Sequence, residues 1–187
     1  MLFRSVFVAS LSSNQILSID TESGNADIVS MDGMNHMFIN FAVSPDQSKM
    51  VGTTQMTGKM MIFDISDPLN LEVTNTLDVN AQPWHPVYSD DGKYVYFGNK
   101  QANSVTAINM ETQTVESVIT EQGLAQPHGA VLSSDNRYLF VTNNNMKMGE
   151  MNSNMMKMGM VAVIDTENFE IVKMIEVGMN PTGIGAK

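Results

Sequence analysis

Apolar and polar positions alternate in short runs along the whole chain. Runs such as Val6-Phe7-Val8-Ala9, Met60-Met61-Ile62-Phe63, Tyr94-Val95-Tyr96-Phe97 and Val161-Ala162-Val163-Ile164 are bounded by Gly, Asn, Asp and Ser. Their length and their β-branched and aromatic content predict strands. One pattern of such runs returns about every 44 residues. Its fourth copy is complete: Pro127-His128-Gly129, Ser133-Ser134-Asp135-Asn136, Tyr138-Leu139-Phe140-Val141-Thr142-Asn143 and Val161-Ala162-Val163-Ile164-Asp165-Thr166. A self-similar period of this size, built from short strands and turns, predicts an all-β fold, a β-propeller with one four-stranded antiparallel blade per repeat.

The repeats can be laid on one another. Asp20, Asp64, Asn109 and Asp165 each end an apolar strand, at steps of 44, 45 and 56. The last repeat therefore carries a twelve-residue insertion. Each blade is expected to run from an inner strand A to an outer strand D. Strand A is predicted at 41–43, 86–88 and 130–132. Strand B is predicted at 6–10, 50–54, 94–99 and 138–143, strand C at 16–20, 60–64, 105–109 and 161–165, and strand D at 26–30, 72–77, 115–119 and 171–177. Strand C is almost continuously apolar, as expected of a strand packed on both faces by neighbouring blades. The A–B turns read Ser44-Pro45-Asp46-Gln47, Ser89-Asp90-Asp91-Gly92 and Ser133-Ser134-Asp135-Asn136. Ser opens such a turn with a side-chain acceptor, and Gly92 or Asn136 can take the positive φ it needs.

The repeat register also relates the two ends. Residues 182–186 fall in the column of strand A, and residues 6–30 supply strands B to D of a blade lacking one. The expectation is about four blades per chain, with the ends sharing one blade so that no sheet edge is left open. The whole of 1–187 then forms a single domain. A four-bladed monomer, an eight-bladed ring of two chains (a homodimer completing a larger ring) and a piece of a larger propeller all fit this register.

Composition narrows the function. Of 187 residues, 43% are hydrophobic and 16% charged, enough for a substantial core. The net charge of −10 repels phosphate backbones and argues against a nucleic-acid partner. No apolar run approaches the ~20 residues that span a bilayer, and residues 1–4 do not make a signal peptide. With no cysteine, disulfides and thiolate metal sites are excluded. This suits an exported protein, and the location expected is periplasmic or secreted.

The repeats resemble the YVTN-family β-propellers in the Pro-His-Gly start, the Ser-x-Asp turn, the strand Leu139-Phe140-Val141-Thr142-Asn143 and the Val-Ile-Asp-Thr end. The resemblance covers nearly the whole chain and implies the fold. Related propellers occur in exported and surface proteins, in lactonase-like enzymes and in the copper enzyme nitrous oxide reductase. Family members usually have about seven blades, so about four is a departure.

Candidate chemistry gathers where D–A linkers and B–C loops emerge, which propeller topology puts on one face. The linkers carry Met34, His36, Trp84, His85, His128 and Met179; the Met-rich loop 144–160 lies between strands B and C of the last repeat. Of the chain's 18 methionines, seven fall at 146, 148, 151, 155, 156, 158 and 160. Thioether and imidazole without thiolate favour Cu(I) or Ag(I) over Zn(II). The expected metal ligands are His36, His85, His128, Met146, Met148, Met151, Met155, Met156 and Met158, with copper as the metal. The segment resembles the methionine-rich insertions of periplasmic copper-handling proteins. Trp84 beside His85 resembles an indole cap on Cu(I) in copper chaperones.

Other readings of the same residues stand. Met50, Met61, Met110 and Met174 read as core fillers. His128 alone also fits a backbone hydrogen-bond role, and Trp84 a packing or partner anchor. A second functional reading is a protein-interaction or surface-assembly module whose contacts are Trp84, Met34 and Met179. A third is a lactonase-like or other propeller enzyme fragment. The expectation is no enzyme, because no Ser-His-Asp order, Gly-rich phosphate loop or His-x-His motif occurs.

Overall fold

The computed structural model describes residues 5–145 and 158–186, and these form four antiparallel sheets without a helix. The first sheet holds β1 (Ser5–Ala9), β2 (Gln15–Asp20) and β3 (Ala26–Ser30). The second holds β4 (Phe38–Val43), β5 (Lys49–Thr54), β6 (Lys59–Asp64) and β7 (Glu72–Asp78). The third holds β8 (Val87–Tyr88), β9 (Tyr94–Asn99), β10 (Ser104–Asn109) and β11 (Thr114–Ile119). The fourth holds β12 (Pro127–Leu132), β13 (Tyr138–Asn143), β14 (Gly159–Asp165) and β15 (Glu170–Val177). In each sheet every strand pairs with its sequence neighbour, giving the meander of a propeller blade.

The core consists of three layers, each between successive blades. Ile16, Met50, Met61 and Phe63 fill the first, and Val51, Met60, Ile62, Val95, Phe97 and Ile108 the second. Tyr96, Val105, Ala107, Leu139, Val141, Ala162 and Ile164 fill the third. Strand β6 explains its own sequence: Met60 and Ile62 face the third blade, Met61 and Phe63 the first. A period-two strand with an apolar neighbour on each side must be apolar throughout. Met50, Met61 and Met110 are buried, and Met174 packs against the third layer.

The A–B turns are built alike. Ser44, Ser89 and Ser133 each donate from Oγ to the Asp two residues on, at 2.6, 2.7 and 2.6 Å. Each Oγ also accepts from the backbone N–H five residues on. Gln47, Gly92 and Asn136 close the turns with φ of 60°, 72° and 58°. Glycine at 98 has a tertiary purpose. A Cβ there would lie 2.7 Å from Pro127 Cβ, so the third blade's strand touches the fourth blade's inner strand through backbone.

The ends of the chain correct one expectation. The first sheet has three strands, and residues 181–186 form none. Residue 182 is held on the fourth blade instead, where Thr182 O accepts from His128 Nδ1 at 2.9 Å and from Thr142 Oγ1 at 3.5 Å. With its last segment anchored there, a single chain is an arc of blades whose ends do not share a sheet. Strand A also starts earlier than predicted at β4 and β12, because Phe38 and Pro127 pair with Thr54 and Asn143 beyond a register shift. No helix among the described residues is long and apolar enough to cross a membrane.

Candidate functional site

Backbone hydrogen bonds tie each B–C loop to the linker entering the same blade. Gln55 N donates to Met37 O (3.0 Å), Lys100 N to Gln82 O (2.7 Å) and Asn144 N to Gln126 O (3.2 Å). Each linker turns into its inner strand through a left-handed residue: Met37, Gln82 and Gln126 have φ of 53°, 56° and 54°. Linkers and B–C loops therefore share one face, on which the Trp84 and His128 side chains occupy equivalent places in successive blades.

Here the third and fourth blades bring three rings together. Trp84 and His128 have centroids 4.7 Å apart, and His85 and His128 meet edge to face at 5.1 Å. Trp84 stacks on His85 at 6.1 Å. The Lys100 ammonium lies 4.7 Å from the indole centroid. Trp84 Nε1 is buried without a hydrogen-bond partner. His128 Nδ1 faces a carbonyl, which only accepts, so Nδ1 carries the proton and Nε2 keeps its lone pair. Burial, then the charges of His85 and Lys100, push the His128 pKa down to about 4 against the opposing Thr182 carbonyl. Burial lowers His85 in the same direction. Both imidazoles are thus neutral at physiological pH, which is the ligating form.

This makes stability pH-dependent. The unfolded chain takes up protons near the ordinary histidine value of 6.5, whereas folded His128 resists until about 4. Stability therefore falls as pH drops through that window, by on the order of 1–2 kcal/mol after discounting for partial exposure. Urea midpoints at pH 7 and pH 4.5 should show the loss, and His128→Gln should show less of it. An equal loss in that variant would mean that burial of His128 contributes nothing to it.

His36 stands apart from the ring cluster. His36 is buried between the first two blades, where Nδ1 lies 2.8 Å from Thr57 Oγ1 and the His36 backbone N–H donates to Asn14 Oδ1 at 3.0 Å. Its ring neighbour is Phe38, and no ring contact joins it to His85 or His128. The structure thus splits the three-histidine set, because His36 enters between a different pair of blades. Met146, Met148, Met151, Met155 and Met156 lie outside the described residues. Met158 is exposed, and its carbonyl accepts from Asn145 Nδ2 at 2.9 Å, so the two ends of the insertion meet. Met34 and Met179 are 69% and 55% exposed, free for a contact. Among the described residues no three His, Cys, Asp or Glu side chains converge.

The opposite face holds a feature that the sequence did not disclose. A cavity of about 320 Å³ lies between the A–B turns of the second and third blades, lined by Ser44, Asp46, Lys49, Tyr88, Asp91 and Lys93 among others. The Tyr88 hydroxyl is buried there without a partner, and burial pushes its pKa above the ordinary tyrosine range. The only sequence signal was the Ser-x-Asp repeat, which the turn hydrogen bonds fully account for.

No protein-family model and no curated protein matches the chain. Among solved structures it is similar to Kuenenia stuttgartiensis hydrazine synthase, at a TM-score of 0.79 and 16% identity. The match covers 94% of this chain and 46% of the other, so the chain spans less than half of that protein's length. At this identity the likeness shows the fold alone, a propeller architecture.

Proposed function

We propose that the chain is a YVTN-type propeller binding module, exported, that captures or buffers a soft metal ion, Cu(I), on its linker face. His85 and His128 are the imidazole ligands. The thioethers of the 144–160 loop complete the shell, and Trp84 flanks the ion with its indole face. One observation carries the reading: two neutral imidazoles lie in edge contact, one with its tautomer fixed by a carbonyl so that its free nitrogen is a lone-pair donor. Two nitrogens plus thioethers suit a low-coordinate soft cation better than Zn(II) or a hard ion. The role is capture without turnover.

Titration of Cu(I) against a chromophoric competitor should give sub-micromolar binding. Excising residues 146–157, whose flanks are already joined by the Asn145–Met158 hydrogen bond, should weaken it by more than about tenfold. Unchanged affinity would remove the thioethers from the ligand set. Lys100 supplies a test of opposite sign. Its charge disfavours any cation beside the rings, so Lys100→Met should tighten Cu(I) binding by several-fold, on the order of 1 kcal/mol. Weaker binding in that variant would mean the ion sits elsewhere.

A second reading has its own support. Met34, Met56 and Met179 are all more than half exposed on the linker side. Exposed, adaptable thioethers suit a protein-contact surface. A partner held this way would protect the loop from proteolysis without any metal.

A further inference from the structure

The joint between the second and third blades departs from the joint between the third and fourth at three positions. Lys49 takes the place of Tyr94: each donates its backbone N–H to the serine that opens its turn, Ser44 or Ser89. Tyr88 takes the place of Leu132, as the two pair with Val95 and Leu139 at the same point of β9 and β13. Gly92 takes the place of Asn136 at the left-handed corner of the turn. At the later joint these residues fill the space. Tyr94 packs on the third core layer, Leu132 is buried, and Asn136 Oδ1 accepts from the Asp90 N–H across the gap at 3.0 Å. The earlier joint cannot make that bridge, because Pro45 stands where Asp90 does and lacks an N–H, and Gly92 has no side chain. The cavity of about 320 Å³ opens there instead, and Lys49, Tyr88 and Gly92 all line it. Nothing in the sequence links these three positions until the cavity joins them.

The three exchanges also change the chemistry of the wall. Val43 and Leu132, in the column of Tyr88, are apolar, so packing does not call for a hydroxyl there. Tyr88 is 8% exposed, and its hydroxyl has no partner. A buried polar group left so costs stability until something bonds it. Burial, then the Asp46 carboxylate, raise its pKa, so the hydroxyl keeps its proton and can donate. Lys49 makes no ion pair among the described residues, and Lys93 reaches Asp91 only at 3.8 Å. Asp46 and Asp91 are committed to their turns by serine hydroxyls and backbone N–H groups. The Glu111 carboxylate has no such commitment among the described residues. The wall thus offers two ammonium groups and a hydroxyl as donors and a carboxylate as acceptor. Its charged side chains are Lys49 and Lys93 against Asp46, Asp91 and Glu111, a surplus of one negative charge.

We propose that this cavity is a binding site for a free basic amino acid of the lysine type. The α-carboxylate of the ligand accepts from Lys49 Nζ and the Tyr88 hydroxyl, giving the buried hydroxyl its partner. The ammonium groups face Glu111 and Asp91, and Met110 offers an apolar wall to the methylene chain. A zwitterion with one extra positive charge balances the surplus of the wall, and the net charge of −10 favours its approach. The volume stands at the lower end of small-molecule sites, which suits a single amino acid. The site lies between two interior blades, on the face opposite the ring cluster, and is independent of metal capture there.

Calorimetric titration of the chain with L-lysine should show saturable one-site binding with Kd below about 1 mM. The diamine 1,5-diaminopentane, which keeps both amines and lacks the carboxylate, should bind at least about tenfold more weakly, and so should L-glutamate. Tyr88→Phe should weaken lysine binding about tenfold while its urea midpoint stays equal or rises, because the unbonded hydroxyl is gone. Gly92→Asn should close the cavity. Asparagine adopts left-handed backbone, as Asn136 does, and a Cβ at 92 meets Pro45 Cδ at an ordinary 3.5 Å. That variant should fold and lose lysine binding. Absence of lysine binding to the parent chain, equal binding of the diamine, or full affinity in Tyr88→Phe would each overturn the proposal. Lysine binding that survives in a folded Gly92→Asn chain would overturn it too, by putting the ligand elsewhere.

Discussion

His128→Ala should lower Cu(I) affinity by about 100-fold or more, with the β-sheet spectrum unchanged. The size follows from the small ligand set. Only two imidazoles meet on the linker face, and removing one donor from a low-coordinate site costs more than loosening an outer partner, which itself costs 10–100-fold. The fold should tolerate the change. His128 is only half-buried, and the Thr182 carbonyl that it leaves is accessible to water. His85→Ala should act in the same direction. His36→Ala should leave affinity within about twofold, and it should lower stability by about 1–2 kcal/mol, because Thr57 loses a partner. Competitor titrations on the three variants decide the matter. An equal loss from all three, or a loss from His36→Ala alone, would contradict the ring cluster as the site. No loss from any, with loss on excising 146–157, would put the ion in the methionine loop alone.

Gly98→Val should destabilise the chain by about 2–4 kcal/mol. Gly98 is buried in β9, and an added Cβ would stand 2.7 Å from Pro127 Cβ and 3.1 Å from the Pro127 backbone carbon. Neither atom is the far end of a flexible side chain, so the third and fourth blades must part. Parting them exposes a layer in which Leu139, Val141, Ala162 and Ile164 are fully buried. Gly178→Ala is the control, since a Cβ there meets nothing within 4 Å. Urea unfolding should show a lowered midpoint for the first and a shift below about 0.5 kcal/mol for the second. Equal midpoints would mean that the blades are joined less tightly than this contact requires. The same variant tests function indirectly: Trp84 and His85 sit on one side of that joint and His128 on the other, so Cu(I) affinity should fall along with stability.

The strands were legible because they are local. The 44-residue recurrence, the apolar strand C and the Ser-x-Asp turns each depend on a few adjacent residues, and their positions agree with the sheets to within a few residues. The exceptions have local causes too. Strand β8 shrinks to Val87–Tyr88 because Pro83 and Pro86 lack an N–H to give to a ladder. Strands β4 and β12 extend upstream because pairing resumes past a register shift. The core methionines were legible in part, Met50 most plainly, since its column holds Val6, Val95 and Leu139 in the other copies.

The candidate site was legible only as a face. Topology sends linkers and B–C loops to the same side whatever their residues, so the sequence gathered three histidines there. It could not say that His85 and His128 meet while His36 turns to Thr57, because that depends on which blades adjoin and how far each rotates from the last. The buried Tyr88 hydroxyl and its cavity escaped for the same reason, being properties of a gap between blades. The sequence by itself determined the blade, through periodicity, turn chemistry and the two-sided apolar strand. Only the tertiary structure decided that four blades make an open arc with residues 182–186 left on its last blade. The curvature of a propeller is set by how side-chain volumes pack between blades, and no repeat period encodes that.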